Sequence, residues 1–166
     1  CLAETAASTA MIFMILLGAD FFNAFLGLSR MPMDLAQVIG ESGLAPMAVL
    51  LLMLLAYLLL GCVMDSLAMI LLTVPVFWPI IAVLDFGLAE DDLKMWFGII
   101  VLVVVEVGLI TPPVGLNAFV INSMARGVKL KETFLGILPF LASDFIRVAL
   151  LVLFPALTLW LPHLFK

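Results

Sequence analysis

One stretch constrains this chain more than any other: Leu44 to Leu84, forty-one residues with a single charge, Asp65. A straight membrane span needs about 20 residues at 1.5 Å each. The stretch is too long for one ordinary span and barely long enough for two. Its middle, Gly61-Cys62-Val63-Met64-Asp65-Ser66, is too apolar for a loop standing in water. Non-helical backbone at membrane depth is tolerated only where protein or a wet cavity satisfies it. The pattern therefore predicts a re-entrant helical hairpin over residues 46–84, with Pro46 to Leu60 going in and Ser66 to about Leu84 returning. Asp65 or Ser66 would cap the returning helix, and Pro75 and Pro79 would kink it.

A second constraint lies in the hydrophobic segment Met95 to Met124, interrupted by Gly108-Leu109-Ile110-Thr111-Pro112-Pro113-Val114-Gly115. Consecutive prolines donate no backbone hydrogen bonds and clash with the preceding turn. A discontinuous helix over 95–126 is predicted, its second half running from Leu116 to Arg126 with Gly127 as the C′ residue.

Ordinary elements surround these two. A scaffold span covers about Thr5 to Leu28 and opens on small residues (Ala6, Ala7, Ser8, Thr9, Ala10) that permit close helix approach. Asp34 to Gly43 is mildly amphipathic and too short to span, which fits an interfacial helix. An acidic loop follows the hairpin, with Asp85, Glu90, Asp91 and Asp92. Arg126, Lys129 and Lys131 form the most basic connection, ahead of a short amphipathic piece from Leu130 to Gly136. The last span covers about 137–161, with Pro155 near its end and Trp160 and His163 at an interfacial rim. By the positive-inside rule the connection Arg126 to Lys131 is cytoplasmic, which places the acidic loop and Lys166 outside and Cys1 inside. Arg30 then faces outward, against the rule.

Composition agrees. The chain is 66% hydrophobic and 11% charged, where soluble domains are about half apolar and one-quarter charged. The class is an all-α membrane protein: three transmembrane helices, a re-entrant hairpin and a broken helix. Seven basic against twelve acidic residues exclude nucleic acid as a partner; the bilayer is the expected one. Cys1 and Cys62 are expected to form no disulfide. No cleavable signal peptide is expected either, because the first apolar run follows Glu4 and lacks a basic leader. The chain enters a membrane segment almost at once, as though cut from something longer.

A hairpin tip and a broken helix are parts from which secondary transporters build ion and substrate sites. Unwound carbonyls coordinate a cation, while half-helix N-termini face an anion. The carbonyls of Gly61, Gly108 and Val114 and the Thr111 hydroxyl form a hard-oxygen set suited to sodium. Thr111, Pro112, Pro113 and Asn117 are the candidate substrate contacts, with Asn117 able to donate to a carboxylate. The plainer alternative is that the prolines merely kink a packed helix. Asp65 is either a helix cap or part of a cation site. Glu106 either carries a proton, shapes the site, or faces wet protein with no transported charge. Asp144 and Arg147 sit three apart and can pair on one helix face, while Asp20 and Asn23 suit anchoring of scaffold helices or of the membrane edge. Enzymatic readings lack parts. His163 is the only histidine, no phosphate loop is present, Ser66 and Ser143 have no base partner, and nothing around Asp65 and Asp144 reads as a protease motif.

The run EVGLITPPVGLNAFVINSMA, Glu106 to Ala125, resembles the most recognisable signature of the large membrane subunit of TRAP (tripartite ATP-independent periplasmic) transporters. LLGCVMDSLAMILLTVPVFWPI, Leu59 to Ile80, is similar to that family's second re-entrant hairpin, and Gly136 to Pro162 to its C-terminal helix. With the opening ETAASTAMIFMIL, the likeness covers essentially the whole chain.

The resemblance implies an elevator-type, sodium-driven permease of two inverted repeats in a bacterial or archaeal inner membrane. It also implies a small membrane subunit and a periplasmic binding protein that delivers an organic acid, such as a C4-dicarboxylate or a sialic acid. One sodium site would be framed by Gly61 to Asp65 with Gly108, Thr111 and Val114; sodium is the coupling ion and no other cofactor is implied. The departure is length. This chain carries the hairpin, broken helix and final span of the second repeat, one half of the inverted-repeat fold. The N-terminal half of the same permease is therefore an expected partner, and alone the chain is expected to transport nothing. A non-transporting scaffold module stays open, as does another carboxylate transporter of similar architecture. The divalent-carboxylate families, however, carry Ser-Asn-Thr at both hairpin tips, where this chain has Cys62 to Ser66.

Overall fold

The computed structural model describes residues 2–125 and 127–164. Cys1, Arg126, Phe165 and Lys166 lie outside the described residues, and with them the expectations placed on the chain start, on Arg126 and on Lys166. Eight helices make up the described residues. α1 (Leu2–Ser29) turns at Arg30, whose φ of 54° is left-handed, into α2 (Met31–Glu41). Pro32 in the first turn of α2 gives up an N–H that has no helix acceptor there anyway. α3 (Pro46–Gly61) and α4 (Ser66–Ala82) form a helical hairpin whose tip is Cys62 to Asp65. α5 (Glu90–Ile110) and α6 (Leu116–Met124) are the two halves of the broken helix. α7 (Leu130–Leu153) and α8 (Ala156–Leu164) end the chain.

Among the described residues, three helices are long and apolar enough to cross a membrane: α1, α5 and α7. They differ sharply in surroundings. The apolar window of α5 is 56% buried, against 11% in both α1 and α7. So α5 is the axis of the core, and Trp96, Phe97, Ile100, Val101 and Val105 pack there with Leu50, Tyr57, Met69 and Ile81 of the hairpin. Tyr57 and Phe77 meet edge to face at 5.1 Å across α3 and α4. The outer helices instead expose Phe13, Phe21, Phe25, Phe140 and Ile146. Large apolar surfaces of this kind need lipid or protein around them.

The last span departs from its expected bounds of 137–161. Its helix starts at Leu130, taking in the piece expected to stand apart, and stops at Leu153. Gly136 does not break it: a helical glycine costs only about 1 kcal/mol, less than abandoning the hydrogen-bond ladder. Thr133 holds the first turn, its hydroxyl donating to Asn122 Oδ1 of α6 at 2.6 Å. At the far end Pro155, just ahead of the short α8, cannot donate to the carbonyl of Leu151, four residues back. The indole N–H of Trp96 takes that role at 2.8 Å and ties α5 to α7. α8 is tied back to the start of α5, where His163 Nε2 lies 2.8 Å from Asp92 Oδ1.

Candidate ion and substrate site at the hairpin tip

Where α3 ends, its backbone lies directly on α5. A Cβ placed on Gly61 would sit 3.0 Å from Gly108 Cα, and one on Gly108 would sit 2.9 Å from Gly61 Cα and 3.2 Å from the carbonyl oxygen of Leu58. Only two glycines allow this approach. It brings the hairpin tip against the break in α5. Cys62, buried in the tip, donates its thiol to Leu58 O at 3.2 Å and lies 3.8 Å from Pro112 O.

The break follows from its prolines. Pro112 has no N–H for the Gly108 carbonyl, which accepts instead from Thr111 N at 3.0 Å. Thr111 leaves the helix in extended conformation (φ −84°, ψ 134°), and its hydroxyl donates to Val107 O at 2.6 Å. That bond uses the hydroxyl proton and leaves the oxygen lone pairs available. The Pro112–Pro113 peptide is cis. Gly115 restarts the helix at φ 54°, with Phe119 N donating to its carbonyl at 2.9 Å. A side chain at Gly115 would meet Phe134 and the Thr111 carbonyl, both at 3.2 Å. The first N–H groups of α6 have no helix acceptor, so this end offers donors beside the break.

The predicted residues therefore divide. Gly61, Gly108 and Thr111 converge around the tip. Pro112, Pro113, Val114 and Asn117 are exposed on the break and the start of α6. Asp65 caps α4, its Oδ2 accepting from Leu67 N at 3.1 Å and Ala68 N at 3.2 Å. Its side chain is exposed and turned to its own helix. Glu106 is exposed on α5. Asp144 and Arg147 pair at 2.9 Å as their spacing predicted. Sequence patterns missed Cys62, Phe134 and the Thr133–Asn122 bond. Cys62 stood in the predicted tip and carried that much signal; the other contacts join separate elements and carried none.

Comparisons with known proteins agree on one family. Residues 1–157 match the family described as the tripartite ATP-independent periplasmic transporter, DctM component. The chain is 35% identical over 162 residues to the C4-dicarboxylate TRAP transporter large permease protein DctM of Pseudomonas aeruginosa, covering 98% of this chain and 36% of that protein. It is 30% identical over 164 residues to the sialic acid TRAP transporter large permease protein SiaM of Vibrio cholerae, covering 99% and 37%. To the isethionate TRAP transporter permease protein DctMQ of Oleidesulfovibrio alaskensis it is 31% identical over 142 residues, covering 86% and 21%. The chain thus spans about a third of the length of the first two relatives and less of the third. No solved structure matches it significantly. With a family match over nearly its whole length, the chain belongs to the DctM family, the large permease component of tripartite ATP-independent periplasmic transporters.

Proposed function

We propose that this chain supplies the hairpin and broken-helix half of a sodium-coupled permease that imports an organic acid by an elevator-type movement. The observation that carries the proposal is the backbone contact of Gly61 with Gly108, which sets the hairpin tip beside the Thr111–Pro112 break. Neutral oxygens from two unwound segments suit a hard monovalent cation. In this reading sodium is held among the carbonyls of Gly61, Gly108 and Val114, the Thr111 oxygen and the tip residues up to Asp65. The substrate lies over Thr111, Pro112, Pro113 and Asn117, where the α6 N-terminus favours an anion. Relatives named for a C4-dicarboxylate, a sialic acid and isethionate all handle organic anions, which supports that class. The remaining parts are the N-terminal half of the permease, a small membrane subunit and a periplasmic binding protein, assembled in the inner membrane.

The hairpin is re-entrant in this reading. Its helices have 16 and 17 residues, about 25 Å each, short of a hydrocarbon core about 30 Å thick. Lys129 and Lys131 put the α6–α7 connection in the cytoplasm. The test is uptake by the full-length permease, reconstituted with its small subunit and binding protein. Thr111→Ala raises the sodium concentration for half-maximal uptake and Thr111→Ser restores it. Unchanged sodium dependence in Thr111→Ala removes Thr111 from the site. Single cysteines at Val63 and Met64 resist a membrane-impermeant thiol reagent applied from the cytoplasmic side, and rapid labelling there defeats the re-entrant arrangement.

A further inference from the structure

Inside α4, Pro75 has no N–H to give to the carbonyl of Leu71, four residues back. That carbonyl still has a donor, and it comes from another helix: Asn23 of α1 gives its side-chain Nδ2 proton to Leu71 O at 3.3 Å, across forty-eight residues of sequence. The same repair recurs where Trp96 serves the Leu151 carbonyl left by Pro155. There the donor belongs to a side chain 1% exposed in the core, so the bond reinforces packing that already exists. At Asn23 the surroundings are different.

Ala19 and Leu26 are the buried residues of α1. Beside Asn23, α1 and the hairpin are separated by an apolar cleft of about 560 Å³, with Gly18, Ala19 and Phe22 on one wall and Ala68, Leu72 and Val76 on the other. Apolar contact across such a cleft is non-directional and singles out no one register. A directional bond to one backbone oxygen does define it. We propose that Asn23 is a positioning residue: it supplies from α1 the donor that Pro75 removes from α4, and so fixes where the hairpin sits against α1. The Asn23 Oδ1 atom is buried without a partner, so the amide acts here through its donor side, at the expense of an unmet acceptor.

The two residues make a separable test in the full-length permease, with cysteines at Gly18 and Val76 on the two walls of the cleft and the native cysteines replaced. Asn23→Leu changes the rate of chemical cross-linking between them by about threefold, the ratio commanded by a typical interhelical hydrogen bond in a membrane. Pro75→Ala restores an N–H at position 75 and satisfies the Leu71 carbonyl within α4. In that background Asn23→Leu produces no further change. Cross-linking in Asn23→Leu that matches the parent overturns the proposal, as do effects of the two substitutions that simply multiply. Asn23→Ala replaces Asn23→Leu if the latter fails to accumulate.

A last arm rests on the transport reading. In Asn23→Leu turnover shifts by about threefold while sodium half-saturation holds, because the Gly61–Gly108 contact is untouched; an equal shift in both counts against a positioning role. Absence of sodium-driven uptake in the parent protein would overturn the transport reading alone, since cross-linking decides the role of Asn23 without it.

Discussion

Gly61 at the end of α3 and Gly108 in α5 touch backbone to backbone, each occupying the space where the other's Cβ would stand. A Cβ on Gly61 would also meet the Val105 carbonyl oxygen at 3.2 Å. Obstacles on both sides are main-chain atoms of helices, which cannot rotate away as a side chain can. The tip of the hairpin and the break of α5 are therefore held at a separation that tolerates no added atom.

Gly61→Ala and Gly108→Ala should each destabilise the permease by about 1–3 kcal/mol, the range for overpacking a closed contact. In the proposed transport reading uptake falls with them, because the tip is displaced from Thr111. Gly18→Ala and Gly98→Ala are the controls, since an added Cβ at either meets nothing within 4 Å. Thermal unfolding in detergent reads all four. Equal melting temperatures for Gly108→Ala and Gly98→Ala would refute the close contact.

Asp65 holds the start of α4 through two N–H groups on one carboxylate oxygen. Asp65→Ala should cost about 0.5–2 kcal/mol by loss of the cap, whereas Asp65→Asn, which keeps an acceptor oxygen, should melt close to the parent. If both variants lose equal stability, the carboxylate charge matters rather than the cap.

Much of this was legible in the chain because proline, glycine and charge act locally. Pro112 and Pro113 announce the break without any knowledge of neighbours, since both deny the helix a donor. Asp65 and Ser66 ahead of an apolar run announce a cap without saying which of them supplies it, and Asp65 does. Asp144 and Arg147 announce their pairing through a spacing of three. Both ends of the last helix differ from the expected span because Gly136, at its start, and Pro155, near its end, look alike as punctuation but differ in cost. A glycine is carried through a helix, while a proline requires a carbonyl to find another donor. Which donor is a tertiary matter: nothing near Leu71 or Leu151 names Asn23 or Trp96. The apposition of Gly61 and Gly108 is of the same kind, for a glycine does not identify the backbone it admits. The tip and the break could each be read from the sequence, and their meeting could not.

Trp96 gives a stability prediction from that tertiary bond. Trp96→Phe keeps an aromatic ring in the core but leaves the Leu151 carbonyl without its donor, at a cost of about 1–3 kcal/mol for an unmet buried polar group. Adding Pro155→Ala restores an N–H at position 155 and should recover part of that loss. Chemical denaturation of the three variants measures it. A Trp96→Phe protein no less stable than the parent would show that the indole contributes packing alone.

Asp144 and Arg147 supply a prediction in which the double substitution is milder than either single one. They lie in a helix apolar enough to span, with Asp144 half-buried and Arg147 exposed on a face that lipid or protein must cover. Paired at 2.9 Å, they partly cancel each other's charge. Removing one leaves the other alone at membrane depth, which costs about 2.5–3.5 kcal/mol on the insertion scale for a central charge. Asp144→Ala and Arg147→Ala should therefore each lower membrane insertion and accumulation of the full-length permease. The combined Asp144→Ala, Arg147→Ala variant should recover most of the loss, because no lone charge remains. Expression level and glycosylation-site mapping of the last span report insertion directly. A double variant as impaired as the worse single one would mean that the residue in question serves some contact other than its partner.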